Sequence, residues 1–513
     1  MSGPRRRLVR IAAGALGIAT LALVGIGFAL FRAASRDPFV AIYHEHCSVC
    51  HGEQLEGAAQ GTPLVGTLAH GDSVDELSRS IARGSPQRGM PAWEATLDPG
   101  TIRSLAIYIA ERRDDRRFTD FKVDKPLHVP QGTIDSELHD FRIETLATGL
   151  DPLPYSIAPL PDGRILVTEK KRGLRIVSPD GTLSPLIEGT PETFGYGIEI
   201  HSLELGVGWL MDVALHPDYE HNGWIYLHFG DLCSDCSEAQ QGTLIPRSMN
   251  RLVRGRIRDG AWVDQEVIWR AAPETYTPTP DMAAGGRTTF DPRGYVFISI
   301  GMKGWNNHMG IQDLGLPYGK IHRVHDDGRI PADNPFVATP GALGSIWSYG
   351  HRSPQGLEFD AKTGRLWGSE MGPRGGDEIN LLRPGRNYGW PLTSKGVDYD
   401  GTPVEYGKDL GIEFDLADIE QPLVDLTPSP AVSSFVVYDA QAFPAWRGDL
   451  IVGTLKATEL QRIRIEDDRP VQREILLRDL ARIRDVETAP DGTLLLLLEH
   501  ATGGQIVRLV PVR

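Results

Sequence analysis

One phrase returns six times, in altered form, between about residue 141 and the end of this 513-residue chain. It is a turn carrying Pro, Asp and Gly, followed by a run of β-branched, aromatic or leucine residues. The clearest copies are Leu160-Pro161-Asp162-Gly163-Arg164-Ile165-Leu166-Val167 and Ala489-Pro490-Asp491-Gly492-Thr493-Leu494-Leu495. Looser ones begin at His216, Asp291, Asp360 and Trp446. A short apolar run entered through a turn that uses aspartate's acceptor and glycine's positive φ reads as a hairpin strand. Such a unit cannot bury both its faces alone, so the copies must pack side by side. Six of them at uneven spacing predict an all-β six-bladed propeller with long insertions between strands. The 57 glycines and 37 prolines are spread along the chain, which suits many turns rather than a disordered segment.

The N-terminus is built differently. Arg5, Arg6, Arg7 and Arg10 precede an uncharged apolar run over residues 11–31, long enough to cross a bilayer as one helix. Its basic flank should stay cytoplasmic and send the rest of the chain outward. The run is longer than a signal-peptide core and no A-x-A site follows it, so an uncleaved anchor is the better reading. The expected location is a bacterial inner membrane, crossed once, with the remaining domains on the periplasmic side. A formal charge of −15 argues against a nucleic-acid partner.

Between these regions stands Cys47-Ser48-Val49-Cys50-His51. Two thiols three positions apart can add to the two vinyl groups of one porphyrin, and the following imidazole can ligate its iron, so C-x-x-C-H is the attachment signature of haem c. Met90, in Gly89-Met90-Pro91-Ala92-Trp93, supplies a thioether about forty residues later. Residues 37–118 resemble a small all-α class I cytochrome c, which implies Cys47 and Cys50 as covalent anchors and His51 and Met90 as axial ligands. The resemblance also implies that the Pro63 carbonyl, in Gly61-Thr62-Pro63, orients the proximal histidine. His44, His46 and His70 lack motif support and read as surface or structural residues. Asp98-Pro99-Gly100-Thr101 should start a closing helix with Ile102, Leu105, Ala106 and Ile109 on its inner face. The remaining cysteines, Cys233 and Cys236, have no following histidine and read as a loop disulfide in an oxidising compartment. The expected division is an anchor over 1–36, the cytochrome over 37–118, a linker over 119–140 and the propeller over 141–513.

The propeller resembles the glucose and sorbosone dehydrogenase family of quinoproteins. The residues that carry this are Gly208-Trp209-Leu210-Met211-Asp212, Tyr318-Gly319-Lys320-Ile321, Tyr349-Gly350-His351-Arg352-Ser353-Pro354-Gln355-Gly356, Gly372-Pro373-Arg374-Gly375-Gly376-Asp377-Glu378 and Asn387-Tyr388-Gly389-Trp390-Pro391. The resemblance implies pyrroloquinoline quinone (PQQ) and calcium as cofactors. It implies PQQ contacts from Arg352, Ser353, Tyr399, Lys456, Arg482 and Arg484, and calcium held at Gly372, Pro373, Glu378 and Tyr388. The chemistry is consistent, because a planar tricarboxylate needs cations and calcium needs hard oxygen donors.

The chain departs from the family where the family's catalytic histidine stands. In Asp281-Met282-Ala283-Ala284-Gly285-Gly286-Arg287 that position is Ala283, which cannot take a proton. Met302 replaces a pocket acid, Met371 a histidine, and Val207 or Leu205 a glutamine. Asp281 and His308 are nearby candidates for a substitute base, and the catalytic residue itself is left unassigned. Two readings follow. In the first, a membrane-anchored quinohaemoprotein oxidises an aldose or related alcohol or aldehyde and passes electrons through its haem to a respiratory acceptor. In the second, a catalytically inactive propeller binds a ligand or partner and is tethered to an electron-carrying cytochrome.

Overall fold

The computed structural model describes residues 38–59, 61–118, 127–194, 197–200, 203–236, 245–303 and 310–512. The expected anchor at 11–31 lies outside them. Among the described residues no helix is long and apolar enough to cross a membrane. The chain divides into two compact units, one of Met1–Asp115 with Asp398–Thr402, the other of Arg116–Val397 with Pro403–Arg513.

The first unit is helical. Pro38–His46 leads into the single turn Ser48–His51, followed by Val74–Arg83 and Pro99–Phe118. The third of these opens on a reciprocal cap in which the Ser73 hydroxyl accepts the Glu76 N–H and the Glu76 carboxylate accepts the Ser73 N–H. Asp98 caps the last helix by accepting the Thr101 N–H at 3.0 Å, and Ile102, Leu105, Ala106 and Ile109 are buried on its inner face as the spacing predicts.

The second unit is a six-bladed propeller. Blade 1 comprises Pro154–Pro159, Ile165–Glu169 and Gly173–Val177, and blade 2 comprises Leu210–Leu215, Ile225–Leu232, Ser248–Arg258 and Ala261–Arg270. Blade 3 runs from Gly285–Phe290 through Tyr295–Ile300 and Lys320–His325 to Ile346–Tyr349. Blade 4 has Pro354–Asp360, Arg365–Glu370, Glu378–Leu381 and Val424–Asp425, and blade 5 has Val432–Val437, Leu450–Thr454, Leu460–Glu466 and Arg469–Leu477. Blade 6 takes Arg482–Thr488, Leu494–Glu499 and Gly504–Pro511 from the C-terminus and its outermost strand, Phe141–Leu150, from the N-terminal end. Pairing early strand with late strand closes the ring and removes two free edges.

Each of the six sequence repeats is the connection between the first and second strands of one blade. Asp162, Asp291, Asp360 and Asp491 each accept the N–H two residues on, at 2.9–3.1 Å. Gly163, Gly294 and Gly492 follow at φ of 85–86°, where an L side chain is strained. The first strands touch their neighbours in an unbroken ring, and every adjacent pair of blades has its own apolar cluster. Residues 127–140, expected as linker, pack on this unit: Leu127, Val129 and Ile134 cover the cluster between blades 5 and 6.

The centre of the ring is polar and is tied together through one residue. Arg287, on the first strand of blade 3, reaches Asp212 of blade 2 at 3.2 Å and Asp485 of blade 6 at 2.8 Å. It also donates to the carbonyls of Gln355 in blade 4, Tyr155 in blade 1 and Arg484 in blade 6. Replacing a buried guanidinium leaves its carboxylates uncompensated. Arg287→Met is therefore expected to destabilise the propeller by about 3–5 kcal/mol in urea unfolding, with Arg287→Lys little better because an ammonium cannot span the fork.

Candidate functional site

In an antiparallel blade the first strand starts where the second ends. The residues singled out from sequence gather at this one end of the propeller. Arg352 and Ser353 precede the first strand of blade 4, Arg482 begins that of blade 6, and Lys456 follows the second strand of blade 5. Glu370 and Glu499 end second strands, and Ala283 and Lys303 flank the corresponding ends in blade 3.

The charged part of this face centres on Glu499, which sequence reading missed. Its buried carboxylate accepts from Lys170 Nζ at 3.0 Å, Arg482 Nε at 2.9 Å and Arg484 Nε at 2.7 Å. These three cations hold it well below the usual carboxylate range, against the opposing effect of burial. Burial, reinforced by Arg484, lowers the Lys170 ammonium to about 8. One carboxylate against three cations leaves this corner positive. Arg352 is buried nearby in the ring, donating to the Met371 carbonyl at 3.1 Å and lying over the Trp390 ring at 5.1 Å. Its own N–H is held by Glu370, which also meets His351 Nδ1 at 3.0 Å, while His351 Nε2 meets Ser348 at 2.8 Å. Ser353 is buried and its hydroxyl accepts from Gln355 at 3.0 Å, whereas Lys456 is exposed. Tyr399 is 63% exposed, on a turn grouped with the first unit rather than the propeller.

The proposed calcium donors lie beside Arg352. Asp377 ties down the turn that carries the Gly372 and Pro373 carbonyls by accepting the N–H of Gly372 at 3.0 Å and that of Val432 at 2.7 Å. A Cβ on Gly372 would fall 2.2 Å from the Gly375 oxygen, so the turn admits only glycine there. Glu378 accepts from Asn380 at 2.8 Å, and its carboxyl is pushed well up, first by burial and then by Glu370. The Tyr388 hydroxyl is committed to Leu381 O and Arg383 N–H, so only its main-chain oxygen remains for a metal. Among the described residues no group of three or more carboxylate, histidine and cysteine side chains is arranged to hold a metal by itself.

The altered positions lie in separate surroundings. Met302 is buried with Cys236, Ile311, Tyr318 and Trp390, and half-buried Ala283 and Cys233 pack on them. Cys233 and Cys236 form the expected disulfide. Ala283 sits at φ 58°, Val207 is buried, and Met371 is half-buried. Leu205's side chain lies outside the description. Asp281, a candidate substitute base, is engaged within the fold. Its two oxygens are taken by Lys303 Nζ at 2.7 Å, Ser248 and the Trp209 N–H, and the Lys303–Asp281 pair is closed to solvent. His308 lies outside the described residues.

In the helical unit, Cys47 and Cys50 are not disulfide-bonded; Cys47 caps and Cys50 lies within the single helical turn that delivers His51. Burial and the neighbouring Cys50 raise the Cys47 thiol to about 11. His51 Nδ1 meets a carbonyl at 2.8 Å, as a proximal histidine should, but the oxygen belongs to Thr62, one residue before the expected Pro63. That leaves Nε2 for a metal. Arg113 fixes the same loop by donating to Leu64 O at 2.7 Å and Gly66 O at 2.9 Å. Met90 is held in its turn by paired main-chain bonds with Ser85. His46 packs against Trp93 at 4.9 Å, a structural role.

Comparison with known proteins agrees with both units. A family model for glucose/sorbosone dehydrogenase matches residues 152–508, and one for subunit III of cbb3-type cytochrome c oxidase matches residues 35–109. The chain is 35% identical over 373 residues to an aldose sugar dehydrogenase of Escherichia coli, covering 72% of this chain and 92% of that one. It is 25% identical to quinoprotein glucose dehydrogenase B of Acinetobacter calcoaceticus, covering 68% and 84%. The crystal structure of the soluble E. coli aldose sugar dehydrogenase in its apo form superposes with a TM-score of 0.62 at 33% identity, over 72% of this chain and all of that one. The chain joins a cytochrome c domain to a six-bladed propeller, and through that propeller it belongs to the glucose/sorbosone dehydrogenase family.

Proposed function

We propose that this chain is a quinohaemoprotein dehydrogenase that oxidises a small alcohol or aldehyde at the propeller and hands the electrons to its own haem. The observation that carries the reading is the convergence of Lys170, Arg482 and Arg484 on the single carboxylate of Glu499, on the same face as Arg352. Three buried or half-buried cations with one internal counter-charge suit a ligand that brings its own carboxylates. Arg352, Arg482 and Arg484 would hold PQQ, with Ser353 and exposed Lys456 at its margin. The Gly372 and Pro373 carbonyls and Glu378 offer calcium the hard oxygens it takes. Bound there, PQQ would supply a two-electron acceptor that calcium polarises. The chain's own residues position and compensate charge. Glu499 keeps the arginine forks aimed, and Glu370 fixes the main chain of Arg352.

In the cytochrome domain Cys47 and Cys50 would anchor haem c, His51 would ligate the iron from a ring oriented by Thr62, and Met90 would take the opposite side, its thioether favouring the ferrous state. Fusion holds donor and acceptor at high effective concentration without a second protein. The proposed division is an anchor over 1–36, a cytochrome over 37–118, a connecting segment over 119–140 and the propeller over 141–513. The run at 11–31 would hold the assembly to the periplasmic side of the inner membrane, within reach of a respiratory acceptor. The engagement of Asp281 and the absence of a base at Ala283 favour a second reading, a recognition propeller tethered to a cytochrome.

The two readings separate in one anaerobic experiment. Oxidised protein loaded with PQQ and calcium is mixed with a panel of sugars, alcohols and aldehydes while the haem absorbance is followed. Haem reduction that needs both PQQ and a substrate is the expected result. No reduction by any of them, with no saturable PQQ binding, would leave the recognition reading. Arg482→Gln should weaken PQQ binding by roughly ten- to hundredfold, the value of one charge-assisted contact. Ala283→His restores a proton acceptor at a left-handed position that histidine tolerates. It should raise the rate of haem reduction at saturating substrate on the order of a hundredfold.

A further inference from the structure

Lys170 follows the second strand of blade 1, and its carbonyl accepts the Leu210 N–H of blade 2 at 2.9 Å. Its side chain crosses to blade 6, where Nζ lies 3.0 Å from Glu499 Oε1. The same oxygen accepts from Arg484 Nε at 2.7 Å, and Glu499 Oε2 accepts from Arg482 Nε at 2.9 Å. An ammonium has three donors. Among the described residues Glu499 is the one hydrogen-bond acceptor that Lys170 Nζ meets, and aromatic faces stand over it, Trp209 at 4.9 Å and Tyr155 at 5.6 Å. The side chain is 5% exposed, so little water can serve the remaining donors. We infer that Lys170 is a further ligand-binding residue of this site, one that gains a proton as a planar polycarboxylate seats beside it, so that loading the cofactor consumes a proton. The inference rests on the dehydrogenase reading for naming that ligand PQQ, though not for the coupling of anion to proton.

The arginines cannot play this part. A guanidinium stays charged at any pH the protein meets, so Arg482 and Arg484 carry the same charge with or without a ligand. A lysine can shed its proton where cations crowd a buried site. Burial, then Arg484, lower the Lys170 ammonium, Glu499 opposes them and Arg482 adds to the lowering, which leaves it at about 8. The other titratable group facing it is Tyr155. That hydroxyl donates to Gly285 O at 2.7 Å and burial pushes its pKa up, so it stays neutral. Glu169, the preceding residue, is spent on Arg175 at 3.0 Å and on the Asp151 N–H at 2.8 Å. A ligand carboxylate brings the negative charge this corner lacks and an acceptor for the unused donors. Both favour the ammonium over the amine. By linkage, a ligand that raises the lysine's pKa binds more tightly when the lysine is protonated. Affinity is therefore full below about 8 and falls as pH rises through it.

The test is calorimetric titration of the full haem-loaded protein with PQQ, calcium present, in pairs of buffers that differ in heat of ionisation. At about pH 9 binding should take up most of one proton, and at about pH 6.5 almost none. The dissociation constant should be about tenfold larger at about pH 9 than at about pH 7, the ratio for one group titrating near 8. Lys170→Arg keeps a cation on Glu499 that releases no proton. It should bind PQQ at neutral pH much as the wild type does and lose the lysine's share of the proton uptake and pH dependence. Any titration of PQQ itself persists in that variant and cancels in the comparison. Lys170→Met should weaken binding at neutral pH roughly tenfold or more. No proton uptake by the wild type at about pH 9, equal uptake by Lys170→Arg, or undiminished affinity in Lys170→Met would each overturn the inference. If Lys170→Met does not fold, the wild type and Lys170→Arg decide. Trimesate, a planar benzene tricarboxylate without redox chemistry, keeps the two proposals apart. Failure of PQQ to bind at any pH would count against the dehydrogenase reading. Trimesate binding with a proton uptake that Lys170→Arg abolishes would then still support the lysine's role, and no trimesate binding would overturn it.

Discussion

A single guanidinium holds the centre of the propeller. Arg287 spans from blade 3 to carboxylates in blades 2 and 6 and to main-chain carbonyls in blades 1, 4 and 6. The first strands form a ring whose inner side chains cannot all be apolar, because their main-chain groups and Asp212 and Asp485 must be satisfied away from bulk water. The two aspartates do more than neutralise the arginine. Asp212 also accepts the Thr288 N–H at 2.7 Å and Asp485 the Ile157 N–H at 2.8 Å, so each ties the hub to the backbone of another blade. The apolar clusters between blades hold neighbours together pairwise. The hub fixes opposite sides of the ring with respect to one another, and with them the face on which the site is built.

That dependence explains why the charged half of the face is so well ordered. Arg484 follows one residue after the buried strand position Ile483, and its side chain bridges Glu499 and the Gln355 side chain while its carbonyl is bound by Arg287. The charged cluster and the structural hub thus share one residue, Arg484, the first through its side chain and the second through its main chain. Glu499 stands at the end of five consecutive leucines, all buried, whose strand has no freedom to move it. The cations are aimed before any ligand arrives, which lowers the ordering cost of binding one.

Much of this was legible in the sequence, and the reasons differ by residue. The six strand-connecting turns declared themselves because a turn is a local object: their aspartates and glycines act within a few residues of each other. The two cysteines, His51 and the capping residues around Asp98 were readable for the same reason. Glu499 was not, because Lys170 lies 329 residues away from it in the chain, and only ring closure brings them together. Asp281 looked available as a base by its position near Ala283, yet Lys303 and the Trp209 main chain consume it, a pairing set by the path of two separate insertions. The shift of the His51 acceptor from Pro63 to Thr62 has a smaller cause. The loop crosses the histidine one peptide earlier than the motif suggested, and either carbonyl would serve the same bond.

The departures from the family's pattern fall where the fold can tolerate them. Ala283, Met302 and Met371 take part in the architecture through their main chains: Ala283 O accepts from Lys303, Met302 N–H donates to Arg352, and Met371 N–H donates to Ser353. Any side chain of suitable size leaves those bonds intact. Arg287, Glu499 and Glu370 take part through their side chains, and each of these joins different strands or blades. A change at the first set alters what the face recognises, and a change at the second alters whether there is a face. The propeller therefore separates the side chains at its altered positions from the frame that supports them.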